Sequence, residues 1–343
     1  MKTVVPFVKR PVVDRLAYIL PWACARFDDQ DEMLKPIKAR IKKAVAAGSC
    51  EWAYSKGSRY RENFRILLEG GSHAYVQIGA LIPMRQKGGI RVVVNPAKFC
   101  DGDAAQLSRV MRRIIGREYE QLMQRPLINC IDFAVDIYHA SLTKMLVSYS
   151  NAQRMTVMAK RMAQNCHIEG YNFGSVSSDY FVVAYDKSQE RVHAAILKML
   201  KATKSGVGTE SLKANAVKQL KQAIDGTDIV RVEVRGKKLR GLPLWKLDSL
   251  PNRFERFRFT DLDASGATLS VLTDRAFLAM HRQDGEKAAL DAFKHTKQAR
   301  NVRAFWRSRK AAWWKPEPLW QQACAALRAI GLFPDEAFEP QDE

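Results

Sequence analysis

The 343-residue sequence has no Cys-x-x-Cys pair: Cys24, Cys50, Cys100, Cys130, Cys166 and Cys324 are scattered. That scatter offers no zinc-ribbon spacing and fits a reducing compartment such as the cytosol. The six histidines form no HxH or HExxH cluster, which speaks against a zinc hydrolase. There is no Walker-type Gly-x4-Gly-Lys, no GxGxxG and no GxSxG, so no loop for ATP or NAD phosphates and no nucleophile elbow is visible. No apolar run approaches the ~18 residues of a membrane span. The stretch LAYILPWACA follows Lys9 and Arg10 as in a signal peptide, but Arg15 and Arg26 bracket it, and it reads as mature sequence. Internal repeats and low-complexity tracts are absent as well.

What the chain has is positive charge on a globular composition. Lysine plus arginine number 56 against 36 acids, a net +20 with a pI near 9.8, while hydrophobic residues make up 47%. Such a chain folds around a real core, as one large domain or two modest ones. The excess charge points to a polyanionic partner, nucleic acid first. Charge by itself does not separate DNA, RNA and an anionic membrane surface.

Periodicity predicts a helix over 34–47, then strands over 62–69, 72–80 and 89–95, the first two joined at Gly70-Gly71. Asp101 or Asp103 is expected to cap a helix reaching Ile115. A long strand follows over 127–138, and Ser141 reads as the cap of a helix beginning LTKMLVSY. A hairpin is expected over 167–173 and 180–187, helices over 189–203 and 210–224, and a strand over 228–236. From about 251 strand patterns fade and helical ones dominate from Thr273 to Ile330. The expectation is an α+β fold, a mainly antiparallel central sheet with helices packed on one side. Residues 1–255 form its α+β domain and 256–343 a helical C-terminal region.

The informative feature is where polar residues fall within the apolar strands. Side chains alternate across a strand, so Asp132 and Asp136 lie opposite Ile131, Phe133, Val135 and Ile137. Arg231, Glu233 and Arg235 likewise oppose Val230, Val232 and Val234. Tyr185 and Lys187 share parity with Phe181 and Val183. A solvated sheet face would account for the arginines equally well. Asp132 is different: aspartate is disfavoured in strands, and an acid inside an apolar segment needs a partner or a metal. His139, directly after a strand, reads as a strand-end surface histidine rather than a ligand.

Four segments in order carry a resemblance. They are VVVNPAKF (92–99), INCIDFAVD (128–136), AYDKSQE (184–190) and DIVRVEVRGKKLRGLPL (228–244). Together they resemble the gene-two-type replication initiators of filamentous phages and, more loosely, the initiators of rolling-circle plasmids. The similarity extends over roughly residues 60–250. The resemblance implies a metal-dependent endonuclease that nicks one strand of origin duplex with a tyrosine. Such an enzyme stays joined to the 5′ phosphate, leaves a 3′ hydroxyl for a polymerase and later rejoins the displaced strand. By position, Tyr185 would be the nucleophile and Lys187 its cationic neighbour. Asp132 and Glu233 would bind Mg²⁺ or Mn²⁺, with Glu190 a third acidic candidate. Asp136 departs from the phage pattern, where a small polar residue sits, although plasmid initiators have an acid there. The partners implied are origin DNA, the displaced single strand, and a host helicase and polymerase in a bacterial cytoplasm, with no membrane.

The residue types suit that chemistry. A phenol with an ordinary pKa near ~10 is a weak nucleophile at neutral pH and needs a cation or base nearby. Hard carboxylate oxygens suit Mg²⁺ or Mn²⁺. A phosphotyrosine ester keeps the phosphodiester's energy, so strand joining needs no ATP, consistent with the missing P-loop. DNA contacts are expected from Arg231 and Arg235 and from the acid-free segment 294–315, with Arg303, Arg307 and Lys310 foremost. In that segment Phe305, Trp306, Trp313 and Trp314 are interleaved with the cations, as on a stacking surface for single strands or on an amphipathic helix with a buried aromatic side. Lys35, Lys38, Arg40, Lys42 and Lys43 read as the solvated face of the first helix. Two other readings stand beside the nickase: a non-cutting origin-binding protein of the same fold, and a basic RNA-binding module.

Overall fold

The computed structural model describes residues 5–22, 27–82, 86, 89–152, 154–162, 165–175, 177–204 and 228–340. Its strands, in chain order, are β1 (Phe7–Val8), β2 (Val12–Leu20), β3 (Cys50–Trp52), β4 (Tyr60–Leu67), β5 (His73–Ala80), β6 (Ile90–Val94) and β7 (Leu127–Tyr138). Then come β8 (Met145–Tyr149), β9 (Met155–Met162), β10 (Asn165–Phe173), β11 (Tyr180–Asp186), β12 (Ile229–Gly236), β13 (Leu242–Pro243) and β14 (Phe257–Asp261). The helices are α1 (Phe27–Ala46), α2 (Asp103–Ile115), α3 (Glu118–Gln124), α4 (Lys187–Lys204), α5 (Val271–Ala292), α6 (Ala299–Ser308) and α7 (Pro316–Ala329).

One sheet runs β3-β4-β5-β6-β2-β7-β12-β11-β10-β9, with β1 and β13 also paired to β7. All of its pairs are antiparallel. The fold is α+β, as expected. Helices back one face. Trp320 of α7 packs edge-on against Phe133, and Phe333 against Tyr18. Leu34, Ile37 and Ile41 of α1 and Leu107, Met111 and Ile114 of α2 join the same apolar cluster. Gly79, at φ +77°, lets α1 close on β5, because a Cβ there would lie 2.8 Å from the Leu34 Cδ1. The other face carries the polar residues and is not covered by this core.

The strands expected over 62–69, 72–80, 89–95, 127–138 and 228–236 are present within two residues at each end. Several expectations are corrected. LTKMLVSY is not a helix: β8 occupies Met145–Tyr149 and pairs with β14. Leu142, Met145, Leu146 and Tyr149 have helical spacing, but a β partner more than a hundred residues away decides the conformation. β14 also shows that strand structure persists past 251. Asp103 does not cap α2. Its carboxylate accepts from the Cys100 and Gly70 amides and the Ser72 hydroxyl, tying the helix start to the β4–β5 turn. β2 and β9 were not anticipated. The helix expected over 210–224 lies outside the described residues. Residues beyond 256 share the sheet's core through Trp314, Trp320 and Phe333. Among the described residues no helix is long and apolar enough to cross a membrane.

Candidate active site

Register brings the polar residues of three strands together on the open face. Arg235 lies opposite Asp132 and Arg231 opposite Asp136 across β12–β7. Tyr185 lies opposite Arg231 across β11–β12. Asp132 also lies opposite Arg15 of β2. The apolar residues of opposite parity face the core, so the hydrophobic pattern holds the register and places the polar groups side by side.

Tyr185 Oη donates to Glu233 Oε1 at 2.7 Å. The other Glu233 oxygen accepts from Arg235 Nε at 2.8 Å and Nη2 at 2.5 Å. Glu233 is only 3% exposed and Asp132 6%, while Tyr185 is half-buried. Arg231 forms a fork with Asp136, Nε to Oδ1 at 2.6 Å and Nη2 to Oδ2 at 2.9 Å, and its Nη1 lies 3.6 Å from Asp14.

These placements set the acidities. Burial pushes the Tyr185 hydroxyl well above its ordinary range, and the Glu233 carboxylate that accepts its proton adds to the effect. Burial also lifts Asp132 to about 6; Arg15 and Arg235 pull it down, and the like charge of Glu233 pushes it up. Burial works against the Arg235 cation, but Glu233 outweighs it and keeps the guanidinium charged.

Asp132, Glu233 and Tyr185 are thus brought together. Lys187 and Glu190 sit differently from expectation. The strand ends at Asp186, so Lys187 opens α4 instead of continuing the strand face. Its Nζ lies 5.8 Å from the Tyr185 ring centre and is hydrogen-bonded to Glu190 one turn on. Glu190 is exposed and occupied by that contact. Among the described residues no group of three or more His, Cys, Asp or Glu side chains comes together as a metal cage. The donor set facing the site is two hard carboxylates. Asp132 has a single weak contact, from the Cys130 thiol at 3.7 Å, among the described residues. A buried, under-bonded carboxylate beside a second one fits Mg²⁺ or Mn²⁺, which retain several waters and often take only one or two protein carboxylates.

The C-terminal basic segment divides. Val302 and Phe305 of α6 are buried, Trp306 Nε1 donates to Glu286, and Trp314 Nε1 donates to the Phe254 carbonyl. Arg309 is buried on the Phe305 ring and donates to the Leu262 carbonyl. The aromatics therefore build the core, while Arg303, Arg307 and Lys310 are exposed. The sequence reading missed Asp14 and Arg15 because β2 went unrecognised.

No family model and no curated protein matches the chain. Among solved structures it is similar to the rolling circle replication initiator protein from Geobacillus stearothermophilus. That similarity has 13% identity and a TM-score of 0.36 and covers 75% of this chain and 89% of that one.

Proposed function

We propose that the protein is a rolling-circle replication initiator of the filamentous-phage gene-two type, a DNA nickase and strand-joining enzyme in which Tyr185 is the nucleophile. The observation that carries this reading is the Tyr185–Glu233 hydrogen bond on an arginine-lined sheet face. A phenol far from its own ionisation needs an acceptor for its proton, and Glu233 already holds that position.

In the forward step Tyr185 Oη bonds to the scissile phosphorus and its proton passes to the Glu233 carboxylate. The bond from phosphorus to the 3′ oxygen breaks, and that oxygen leaves as a hydroxyl after taking a proton from the Lys187 ammonium or from water. Lys187, its Nζ 5.8 Å from the Tyr185 ring centre, is a cation for the phosphate or the leaving oxygen, beside Arg231 and Arg235. Arg235 holds Glu233 in place, and Asp136 holds Arg231 beside Tyr185. Asp132, buried and under-bonded, would hold Mg²⁺ or Mn²⁺, which supplies charge neutralisation at the phosphate, while both Glu233 oxygens are engaged by Tyr185 and Arg235. Rejoining is the reverse: a 3′ hydroxyl attacks the phosphotyrosine and Glu233 returns the proton.

The partners under this reading are origin duplex and the displaced strand, with a host helicase and polymerase following, in a bacterial cytoplasm. The test uses an oligonucleotide pool and a supercoiled plasmid library with Mg²⁺. Adducts that survive detergent are recovered, and the attached peptide and the DNA end are sequenced. A 5′-phosphate adduct on Tyr185 is expected. DNA retained without any adduct would favour the non-cutting origin-binding reading, and preference for structured RNA would favour the RNA-binding one.

A further inference from the structure

The open face continues beyond the nucleophile, and its far half differs in chemistry. Between β4, β5, β6 and the turn after β12 lies a cavity of about 640 Å³ lined by Ser58, Arg59, Tyr60, Tyr75, Arg91 and Arg240 among others. Arg91 is partly buried at its wall. One N–H of Arg91 donates to Gln77 Oε1 at 2.6 Å, and no acidic side chain contacts it among the described residues. Gln77, 6% exposed, is itself fixed: its Nε2 donates to Asn63 Oδ1 at 2.8 Å and to Ser58 Oγ at 3.3 Å. Tyr75 Oη donates to the same Asn63 oxygen at 3.0 Å. A chain of neutral groups thus holds one arginine in position, although Arg231 and Arg235 each hold a carboxylate. Its charged neighbour on this face is another cation, Arg15.

A half-buried guanidinium without a counter-ion is an anion site waiting for its ligand. Arg59 and Arg240 stand exposed at the rim. Arg240 holds φ at +55°, a conformation that favours glycine and that is kept where surrounding structure imposes it. The adjoining cavity shares Ser55, Gly57, Ser58 and Tyr60 with the first and is lined by Trp52 and by Tyr54, which is 93% exposed. An exposed ring in a cavity adjoining the one that holds the cation suits an unstacked base and its phosphate. Arg91 on β6 is four strands from Tyr185 on β11, about 19 Å across at the usual strand spacing, and the register through Ile19 and Leu127 on one side and Arg231 and Asp136 on the other sets them a further nine residues apart along β7, about 30 Å.

We propose that these two adjoining cavities form a second subsite for single-stranded DNA, in which Arg91 in the first takes a phosphate and Tyr54 in the second stacks a base of the strand being cut. The ligand's identity rests on the nicking reading; the anion site does not.

The test measures binding of a labelled oligothymidine of about twelve nucleotides, within the usual site size of ~4–16, against salt. Arg91→Gln should weaken binding about tenfold and flatten the slope of log affinity against log salt by about 0.7, one single-strand phosphate contact. Tyr54→Ala should weaken it at least about fivefold without changing the slope. Tyr54 is exposed, so its loss leaves the fold intact, and Arg91→Lys, which keeps the charge, should recover most of the affinity. Wild-type affinity and slope in both Tyr54→Ala and a folded Arg91→Gln would overturn the subsite. So would displacement of the strand by micromolar thymidine monophosphate, which would make the cavity a free-nucleotide site. Tyr185 adducts are scored in the same samples. Adducts from wild type with unaltered binding in the variants would sink the subsite alone. Weakened binding in the variants with no adduct from wild type would sink the nicking reading alone.

Discussion

The two halves of the open sheet face use arginine in opposite ways. Around β11, β12 and β7 each arginine is held by a carboxylate: Arg231 by Asp136, Arg235 by Glu233. Around β6 and β5, among the described residues, the side-chain partner of Arg91 is the neutral Gln77. In the first half the paired charges fix a tyrosine and the carboxylate that accepts its hydrogen bond. In the second the charge is left available to a ligand. A bare count of basic residues hides this, since a paired arginine positions chemistry and an unpaired one recruits an anion.

The sharpest way to break the comparison is at Tyr185, the proposed nucleophile. Tyr185→Phe removes one oxygen and should abolish covalent adducts while strand affinity stays within about twofold; an adduct that persists on a denaturing gel would move the nucleophile to another tyrosine. Next is its proton acceptor. Glu233→Gln should lower the single-turnover nicking rate about 10²–10⁴-fold, the usual range for a lost general base. It also strips Arg235 of its carboxylate, so the variant should melt earlier, measured by calorimetry in the same buffer.

Asp132 sharpens the contrast through stability. Its carboxyl titrates at about 6 instead of its ordinary 3.8, so the folded state binds a proton that the unfolded state has released between those values. That contribution is present at low pH and is lost as pH rises through about 6. Asp132→Asn should therefore stabilise the fold at pH 8, by on the order of 2–3 kcal/mol, and lose that advantage near pH 4. The same variant should lose Mg²⁺-stimulated nicking. Urea melts at the two pH values check the first expectation. Equal stability of variant and wild type at pH 8 would mean that Asp132 is charged without cost.

The smallest effect on chemistry is expected far from this face. Arg303, Arg307 and Lys310 are exposed beside a buried aromatic layer. Replacing all three with alanine should flatten the salt slope for duplex binding by up to ~2.7, at ~0.9 per contact, and leave the nicking rate at saturating DNA unchanged. An unchanged slope would confine DNA binding to the sheet and its loops.

Much of this was legible in the chain. Strict alternation over 127–138 and 228–236 exposed both long central strands and put Asp132, Glu233 and Arg235 on one face, because the side-chain period of a strand is two. What alternation does not carry is a change of phase. β2 skips a pairing position at Asp14, between Val13 and Arg15, so Val13 and Leu16 fall on the same face although three residues apart, and the pattern reads as no strand. That bulge hid Asp14 and Arg15 from the sequence reading.

The sequence by itself determined the α+β class and the long strands, since these follow from local periodicity, while the candidate roles of Tyr185, Asp132 and Glu233 rest on the resemblance to phage initiators. Tertiary structure alone decided that the Tyr185 hydroxyl meets Glu233, that Arg231 is held by Asp136, that Lys187 opens a helix and that Met145–Tyr149 is a strand. These depend on pairing between residues tens to more than a hundred positions apart. Register across strands, not spacing along the chain, sets which polar groups touch.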